Sequence, residues 1–467
     1  MFVGRERELQ KLEQLYAQDQ FEFAVMYGRR RVGKTTLINK FIEDKGAQTI
    51  YFTGVEENEK DNLQRFSKAI HNYLDPESEV STTFSSFEDA FQRIGELADD
   101  QRLILVIDEF PYLAQSYPAI SSILQSYIDN EYLQSKLFLI LCGSSMSFME
   151  NQVLGYKSPL YGRRTTQMKI LPFSFGETKT YLVGMDQEAI FILYAVTGGI
   201  PQYLRFMSTK KSVQANITEA FLSPVAPLFE EPANLLKQEL REPANYNSVI
   251  NAIAQGSSKQ NEIATKTGIP NASITKYLVN LIDLGIVEKI VPVTESDQPR
   301  TRRTLYRIAD DMFRFWHAFI GQNIDYIERG YEELVWQEIA KGLPHFLGAT
   351  FEKLSMEYLW DNILNEELVS TPFQRLGTWW GTDNKEKKEV EIDLLGYTSD
   401  KQIGFFGECK WRNEEVSREV LERLMYRSSL FPYIKREYYL FSKSGFTAEC
   451  QALAAEVKAH LIQFSDM

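Results

Sequence analysis

Eight residues constrain the fold of this 467-residue chain more than any others: Gly28-Arg29-Arg30-Arg31-Val32-Gly33-Lys34-Thr35. The spacing G-x-x-x-x-G-K-[ST] asks for a backbone that curls around an anion, with glycines at the tight points and main-chain N–H groups turned inward. The apolar run Phe21–Tyr27 precedes it, and a helical stretch from Thr35 to Glu43 follows. The positive end of that helix, carrying Thr36, adds to the anion site. Lys34 is placed to reach the β- and γ-phosphates of a nucleotide, and the Thr35 hydroxyl to reach Mg²⁺. A glycine-rich surface turn beside a helix is the alternative, and the strand–loop–helix context argues against it.

A second run, Leu103–Ile107, ends in Asp108-Glu109. Acids at the carboxyl end of a buried strand lie where α/β folds place ligands. Asp108 is expected to hold the Mg²⁺ shell and Glu109 to polarise the attacking water; alone, the pair would read equally as a solvated acidic turn. Leu137–Cys142 runs into Gly143-Ser144-Ser145, where the Ser144 hydroxyl can sense the γ-phosphate or simply belong to a turn. Arg163, next to Arg164, is a candidate for stabilising phosphoryl transfer from within the chain or from a neighbouring subunit, the alternative being an exposed salt-bridged pair. Arg29, Arg30 and Arg31 can reach phosphate or an adjacent domain.

Short apolar runs alternating with helical stretches such as Asn62–Tyr73 and Ile120–Tyr132 predict an open, largely parallel sheet covered on both faces. Beyond Pro172 the helices Phe175–Val183, Glu188–Thr197 and Val213–Ala220 predict a helical lid. The expected division is 1–171 for the sheet, 172–241 for the lid, 242–310 for a compact helical and hairpin segment, 311–346 for an aromatic-rich helical connector, and 347–467 for a last α/β unit. There is no internal repeat and no low-complexity tract. Lys+Arg number 51 and Asp+Glu 64, a net charge of −13, so any nucleic-acid contact must come from a local patch. Three cysteines make no disulfide framework and fit a reducing compartment. A charged N-terminus and strand-length apolar runs point to a cytoplasmic protein without a membrane partner.

Gln260–Gly268 reads as a short helix, Ile269-Pro270 as a turn, and Asn271 or Ser273 as the cap of a second helix carrying Ile274, Leu278, Leu281 and Ile282. Strands Ile286–Val293 and Thr304–Ile308 around the polar tip Thr294–Arg303 complete a winged helix-turn-helix. In a DNA complex Thr275, Lys276 and Asn280 would enter the major groove. Residues 257–307 hold eight Lys/Arg against five Asp/Glu, a weak footprint that leaves a protein-packing role open. Further on, Lys388–Leu394 alternates strictly, and Ile403–Lys410 follows after a short turn. Asp393, Glu408 and Lys410 can share one hairpin face, with Glu352 facing inward from a helix and Cys409 pointing to the core. Carboxylates Glu352, Asp393 and Glu408 could hold Mg²⁺, and Lys410 could orient water for phosphodiester attack. The alternative is an edge hairpin with a solvated charged face.

Phe2–Leu9, the phosphate loop, Ile107-Asp108-Glu109, Gly143-Ser144-Ser145, Tyr161-Gly162-Arg163 and Thr197-Gly198-Gly199-Ile200-Pro201 occur in that order. The set resembles the archaeal-type ATPases of the AAA+/STAND group of P-loop proteins. That resemblance implies ATP as ligand, Val3, Gly4 and Arg5 near the adenine, and Pro201 in a lid turn facing the nucleotide. Glu352, Asp393 and Glu408-Cys409-Lys410 resemble the PD-(D/E)xK restriction-endonuclease-like fold, whose copies behind archaeal-type ATPases are generally uncharacterised. The expected whole is an α/β chain: a P-loop NTPase parallel sheet with a helical lid, a winged helix-turn-helix and a C-terminal α/β nuclease-like domain. Its expected activity is Mg²⁺-dependent ATP hydrolysis coupled to action on DNA. One alternative is an ATP-dependent switch whose C-terminal domain only binds; another is a transcription-type DNA binder. ATP and ADP are the expected partners, with DNA and a second copy of the chain as further candidates.

Overall fold

Four apolar runs and one polar one form a five-stranded sheet in the computed structural model, which describes residues 2–77, 82–240, 242–297, 301 and 303–467. The strands are β1 (Glu22–Tyr27), β2 (Thr49–Thr53), β3 (Leu103–Asp108), β4 (Leu137–Gly143) and β5 (Thr166–Lys169). All pairings are parallel and the order is β2-β3-β4-β1-β5. Every residue of β1, β3 and β4 is buried, because helices cover both faces and the usual polar alternation disappears. Phe23, Val25, Leu105, Ile107 and Leu139 pack on one face with the helices Glu59–Leu74, Phe87–Asp100 and Ile120–Asn130. Ala24, Met26, Ile104, Val106 and Ile140 pack on the other with Glu6–Tyr16 and Lys34–Ile42. Strand β5 escaped the sequence reading because only Met168 of Thr-Gln-Met-Lys is buried. The order places β4 between β1 and β3, so the loop after β1 and the tips of β3 and β4 lie at one sheet edge, where ligands of open α/β sheets bind.

The chain folds as two units: Met1–Val183, Gly199–Phe206 and Asp283–Gly285 form one, and Gly184–Gly198, Met207–Ile282 and Ile286–Met467 the other. The expected lid, 172–241, is thus divided between them. In the second unit the helices Pro243–Ala254, Gln260–Thr267 and, all but its last residue, Asn271–Asp283 precede an antiparallel hairpin of β6 (Val287–Ile290) and β7 (Leu305–Ile308). Gly268, at φ 70, ends the middle helix. The next helix already begins at Asn271, so Ser273 lies inside its first turn. The strand expected to reach Val293 stops at Ile290, since Val293–Glu295 turns into a 3-10 helix. Residues 298–300 and 302 of the expected tip lie outside the described residues.

A single helix, Glu332–Asp361, runs through the expected edge between residues 346 and 347. Interior proline normally costs a helix about 3 kcal/mol. Here Pro344 is flanked by buried Leu343, Phe346, Leu347 and Phe351, whose packing holds the helix together. The last sheet has β8 (Arg375–Asp383), β9 (Lys388–Tyr397), β10 (Ile403–Lys410), β11 (Lys435–Ser442) and β12 (His460–Gln463), in the order β12-β11-β10-β9-β8. It is mixed: β8, β9 and β10 pair antiparallel, and β10, β11 and β12 pair parallel through the helices Arg418–Ser428 and Ala448–Val457. Strands β9 and β10 are therefore interior, which removes the edge-hairpin alternative. No helix among the described residues is long and apolar enough to cross a membrane.

Candidate functional site

The phosphate loop leaves β1 at Gly28 and closes at Gly33, whose φ of 92 suits glycine. A Cβ at Gly33 would meet nothing closer than Pro201 at 4.0 Å, so the loop presents an open cradle there. Gly28 is different: a Cβ would lie 2.3 Å from the Ile170 carbonyl oxygen, and Ile170 N–H is bonded to Tyr27 O at 2.7 Å. Neither backbone can give way. Gly28→Ala is expected to destabilise the fold by about 2–3 kcal/mol, as overpacking does; an unchanged thermal melting midpoint would contradict this.

Beside the loop lies a cavity of 450 Å³, within the range of about 300–1,000 Å³ typical of small-molecule sites. Phe2, Val3, Arg5, the run Arg31–Thr36, Phe173, Tyr181, Pro201, Gln202 and Arg205 line it. Four of these are cations and none is an acid, which suits a polyanion. Arg5 is buried; it donates to Val32 O at 3.2 Å and to Leu171 O, and lies over the Phe173 ring. It clamps the N-terminal segment to the loop. Gly4, at φ 69, packs against the Glu177 side chain and does not line the cavity. Pro201 and Gln202 reach the cavity because Gly199 O accepts Phe173 N–H at 2.8 Å. Arg31, at φ 73, lines the cavity and lies over the Tyr203 ring, whereas Arg30 donates to Tyr112 OH. Both contacts fall within the first unit.

Lys34 is buried, and its Nζ donates to Gly28 O at 2.8 Å and Arg29 O at 3.0 Å. Burial lowers its pKa, opposed by Cys142, Glu109 and Asp108. Asp108 accepts on both oxygens: Oδ2 from Thr35 Oγ1 at 3.1 Å and Tyr51 OH at 2.8 Å, and Oδ1 from Glu109 N–H at 3.0 Å. Glu109 has φ 50, a left-handed conformation that a non-glycine residue keeps only when its surroundings enforce it. Ser144 contributes to that enforcement, donating to Glu109 Oε2 from Oγ at 2.9 Å and from N–H at 3.2 Å. Thr35, Asp108, Glu109 and Ser144 thus form one hydrogen-bonded group, and the charge of Lys34 acts on its two acids. Arg163 stands outside it. Its guanidinium grips Asp129 on the helix Ile120–Asn130 at 2.7 and 2.6 Å and donates to Pro159 O. That is the salt-bridged alternative, and it takes Arg163 out of the cavity lining.

In the second unit the β9–β10 ladder runs from Tyr397↔Gly404 to Leu394↔Gly407 and stops. Beyond it, Asp393 Oδ2 accepts the Cys409 N–H at 2.8 Å. Lys410 Nζ lies 2.7 Å from Glu408 Oε1 and 3.9 Å from Asp393 Oδ2. Arg427 donates to Glu391 O at 2.7 Å and lies 3.4 Å from Glu408 Oε2. Burial, then Glu408 and Glu352, push the Asp393 carboxyl up to about 8. Burial, then Glu391, raise that of Glu352. Burial by itself would lower Lys410, but Glu408 and Asp393 raise it. Among the described residues no three acidic, thiol or imidazole groups are placed to hold a metal ion as they stand. Of the expected ligands, Asp393 and Glu408 are instead engaged by Lys410, Arg427 and a backbone N–H, while Glu352 acts on them through its charge. Cys409 is buried, as expected. In the helix-turn-helix segment Thr275 and Lys276 are exposed, while Asn280 donates to Tyr246 OH at 2.5 Å.

Sequence reasoning missed Tyr51, Phe173, Tyr181, Gln202 and Arg205 in the first unit and Arg427 in the second. Tyr51 carried no signal of its own: it is half-buried on the edge strand β2, and its role depends on the register of β2 against β3. The others follow from tertiary packing.

Residues 2–206 match a family described as an ATPase domain predominantly from Archaea, and residues 316–423 match one described as archaeal and bacterial proteins of unknown function. An uncharacterized protein of Methanocaldococcus jannaschii is 33% identical over 431 residues, covering 92% of each chain. An uncharacterized ATP-binding protein of the same organism is 51% identical over 45 residues, 10% of this chain and 76% of the other. The Walker-type ATPase PABY2304 of Pyrococcus abyssi superposes with a TM-score of 0.50 at 18% identity, over 68% of this chain and 96% of that one, a likeness of fold. The chain therefore belongs to one family with the 431-residue match from M. jannaschii, and within it is an ATP-binding ATPase with a P-loop sheet and a separate mixed-sheet C-terminal unit.

Proposed function

We propose that this ATPase uses Mg²⁺ and couples its nucleotide state to a C-terminal, nuclease-like module acting on DNA. The observation that carries the first half is Asp108 Oδ2, 3.1 Å from Thr35 Oγ1, on a carboxylate whose Oδ1 accepts the Glu109 N–H, with Ser144 holding the Glu109 side chain. Hydroxyl and carboxylate oxygens fit a hard divalent ion. Bound there, Mg²⁺ would neutralise charge developing on the phosphates. Lys34 and the loop amides of residues 28–36 hold the phosphates, Glu109 takes the proton of the attacking water, and Ser144 orients Glu109. Val3, Arg5 and Pro201 border the rest of the nucleotide.

The second half rests on Asp393, Glu408 and Lys410 gathered where β9 and β10 part, with Glu352 acting on the same charges. The segment Pro243–Ile308, three helices and a hairpin, is read as a winged helix that brings Thr275 and Lys276 to DNA. A specific observation favours the rival reading of a binding-only module: Lys410 and Arg427 already neutralise Glu408. Purified protein incubated with supercoiled DNA and Mg²⁺ or Mn²⁺, without nucleotide and with ADP or ATP, separates the two. Nicking that disappears in Asp393→Ala is the expected result; no nicking in any nucleotide state turns the reading to the binding module. The Asp393 carboxyl, held up to about 8, carries its proton at pH 7. A metal ion needs the charged form, so nicking is expected to rise between pH 7 and 9, and a flat profile would count against Asp393 as a ligand.

A further inference from the structure

We infer that Tyr51 is a positioning residue for ATP hydrolysis: its hydroxyl holds Asp108 in the orientation that receives Mg²⁺. This rests on the reading of Thr35 and Asp108 as the metal-holding pair. Strand β2 runs parallel to β3 with Thr53 opposite Asp108 and Tyr51 opposite Val106. Side chains alternate along a strand, so Tyr51, Thr53, Val106 and Asp108 share one face. From one step back, only a long side chain reaches the carboxylate diagonally. Tyr51 does so, with its ring against the cluster containing Ile104 and Val106 and its OH 2.8 Å from Asp108 Oδ2.

Asp108 is buried; its carboxylate accepts from Thr35 Oγ1, Tyr51 OH and Glu109 N–H, and the buried Cys142 thiol bonds to it as well. Thr35 and Glu109 also have work at the nucleotide. The Tyr51 hydroxyl serves the carboxylate alone among the contacts that define this group. Burial and the neighbouring Asp108 charge raise its pKa, so it stays a donor across the working pH range. Without it, Asp108 Oδ2 loses its 2.8 Å bond and keeps the longer one to Thr35, beside the weak thiol donor of Cys142, so the carboxylate is held less firmly toward the loop.

Tyr51→Phe keeps the ring and removes the hydroxyl. The test compares the full-length wild type, Tyr51→Phe and Asp108→Asn in three measurements: ADP affinity by calorimetry in EDTA, Mn²⁺ affinity of the ADP complex by electron paramagnetic resonance, and ATP turnover against Mg²⁺ concentration. For Tyr51→Phe, ADP affinity in EDTA should stay within about twofold of wild type. Mn²⁺ affinity should fall about tenfold, the scale of one lost hydrogen bond to a charged acceptor, and the Mg²⁺ concentration for half-maximal turnover should rise by a similar factor. Wild-type Mn²⁺ affinity in Tyr51→Phe beside a weakened Asp108→Asn overturns the role of Tyr51 alone. Wild-type Mn²⁺ affinity in Asp108→Asn overturns the underlying metal site and the inference with it. Loss of ADP affinity in EDTA by Tyr51→Phe makes the residue a structural support of the loop and also overturns the proposal.

Discussion

Lys34→Ala is expected to abolish measurable ATP binding, so that calorimetry at concentrations saturating the wild type records no heat of association. The side chain is buried, and its ammonium is satisfied by Gly28 O and Arg29 O at the start of the loop. Truncation does two things. It removes the cation that the proposed function places on the phosphates, where each hydrogen bond to a charged group contributes about 1.5–3 kcal/mol. It also leaves two loop carbonyls without their donor, so the loop loses the brace that holds its curve. Two such bonds correspond to a weakening of roughly 100-fold or more at 1.4 kcal/mol per tenfold. Lys34→Met keeps the apolar stem but, like Lys34→Ala, lacks the ammonium that serves both the phosphates and the two carbonyls, so it should lose binding equally. Unchanged nucleotide affinity in both variants would sink the phosphate-loop reading.

The parallel sheet was legible because helices on both faces bury its strands completely, so Leu103–Asp108 and Leu137–Gly143 stand out as unbroken apolar runs. β5 was not, since an edge strand with one buried residue carries no such signature. The grouping of Lys34, Thr35, Asp108, Glu109 and Ser144 could be anticipated because all sit at strand tips or on the loop, and sheet order alone brings strand tips together. Tyr51 could not be singled out: its role depends on the register of β2 against β3. Nor could the partner of Arg163, since Asp129 lies 34 positions away on another element. In the second unit, alternation indicates that Asp393 and Glu408 share a face. That the β9–β10 ladder ends at Leu394↔Gly407, and that Arg427 joins Glu408, are facts of packing. Domain edges were the least legible feature. Proline and changes in composition marked them in sequence, while Glu332–Asp361 runs through one of them on the strength of its buried face.

Glu109→Gln should give the opposite phenotype to Lys34→Ala: ATP bound with near-wild-type affinity and hydrolysed about 10²–10³-fold more slowly, within the range that a general base contributes. The amide is the same size as the carboxylate. Its oxygen can still accept from Ser144 Oγ and N–H, so the left-handed turn at φ 50 keeps its support. What is lost is the ability to take a proton from water. Nothing in the substitution touches the Lys34 contacts or the bonds to Asp108 Oδ2. Ser144→Ala should fall between the two enzymes, because it leaves the base in place and releases its orientation. Single-turnover hydrolysis, with binding followed separately by a fluorescent ATP analogue, distinguishes the steps. If Glu109→Gln turned over ATP within twofold of wild type, the proton would have to leave by another group, and the arrangement of Ser144 around Glu109 would be a structural feature of the β3–β4 edge alone.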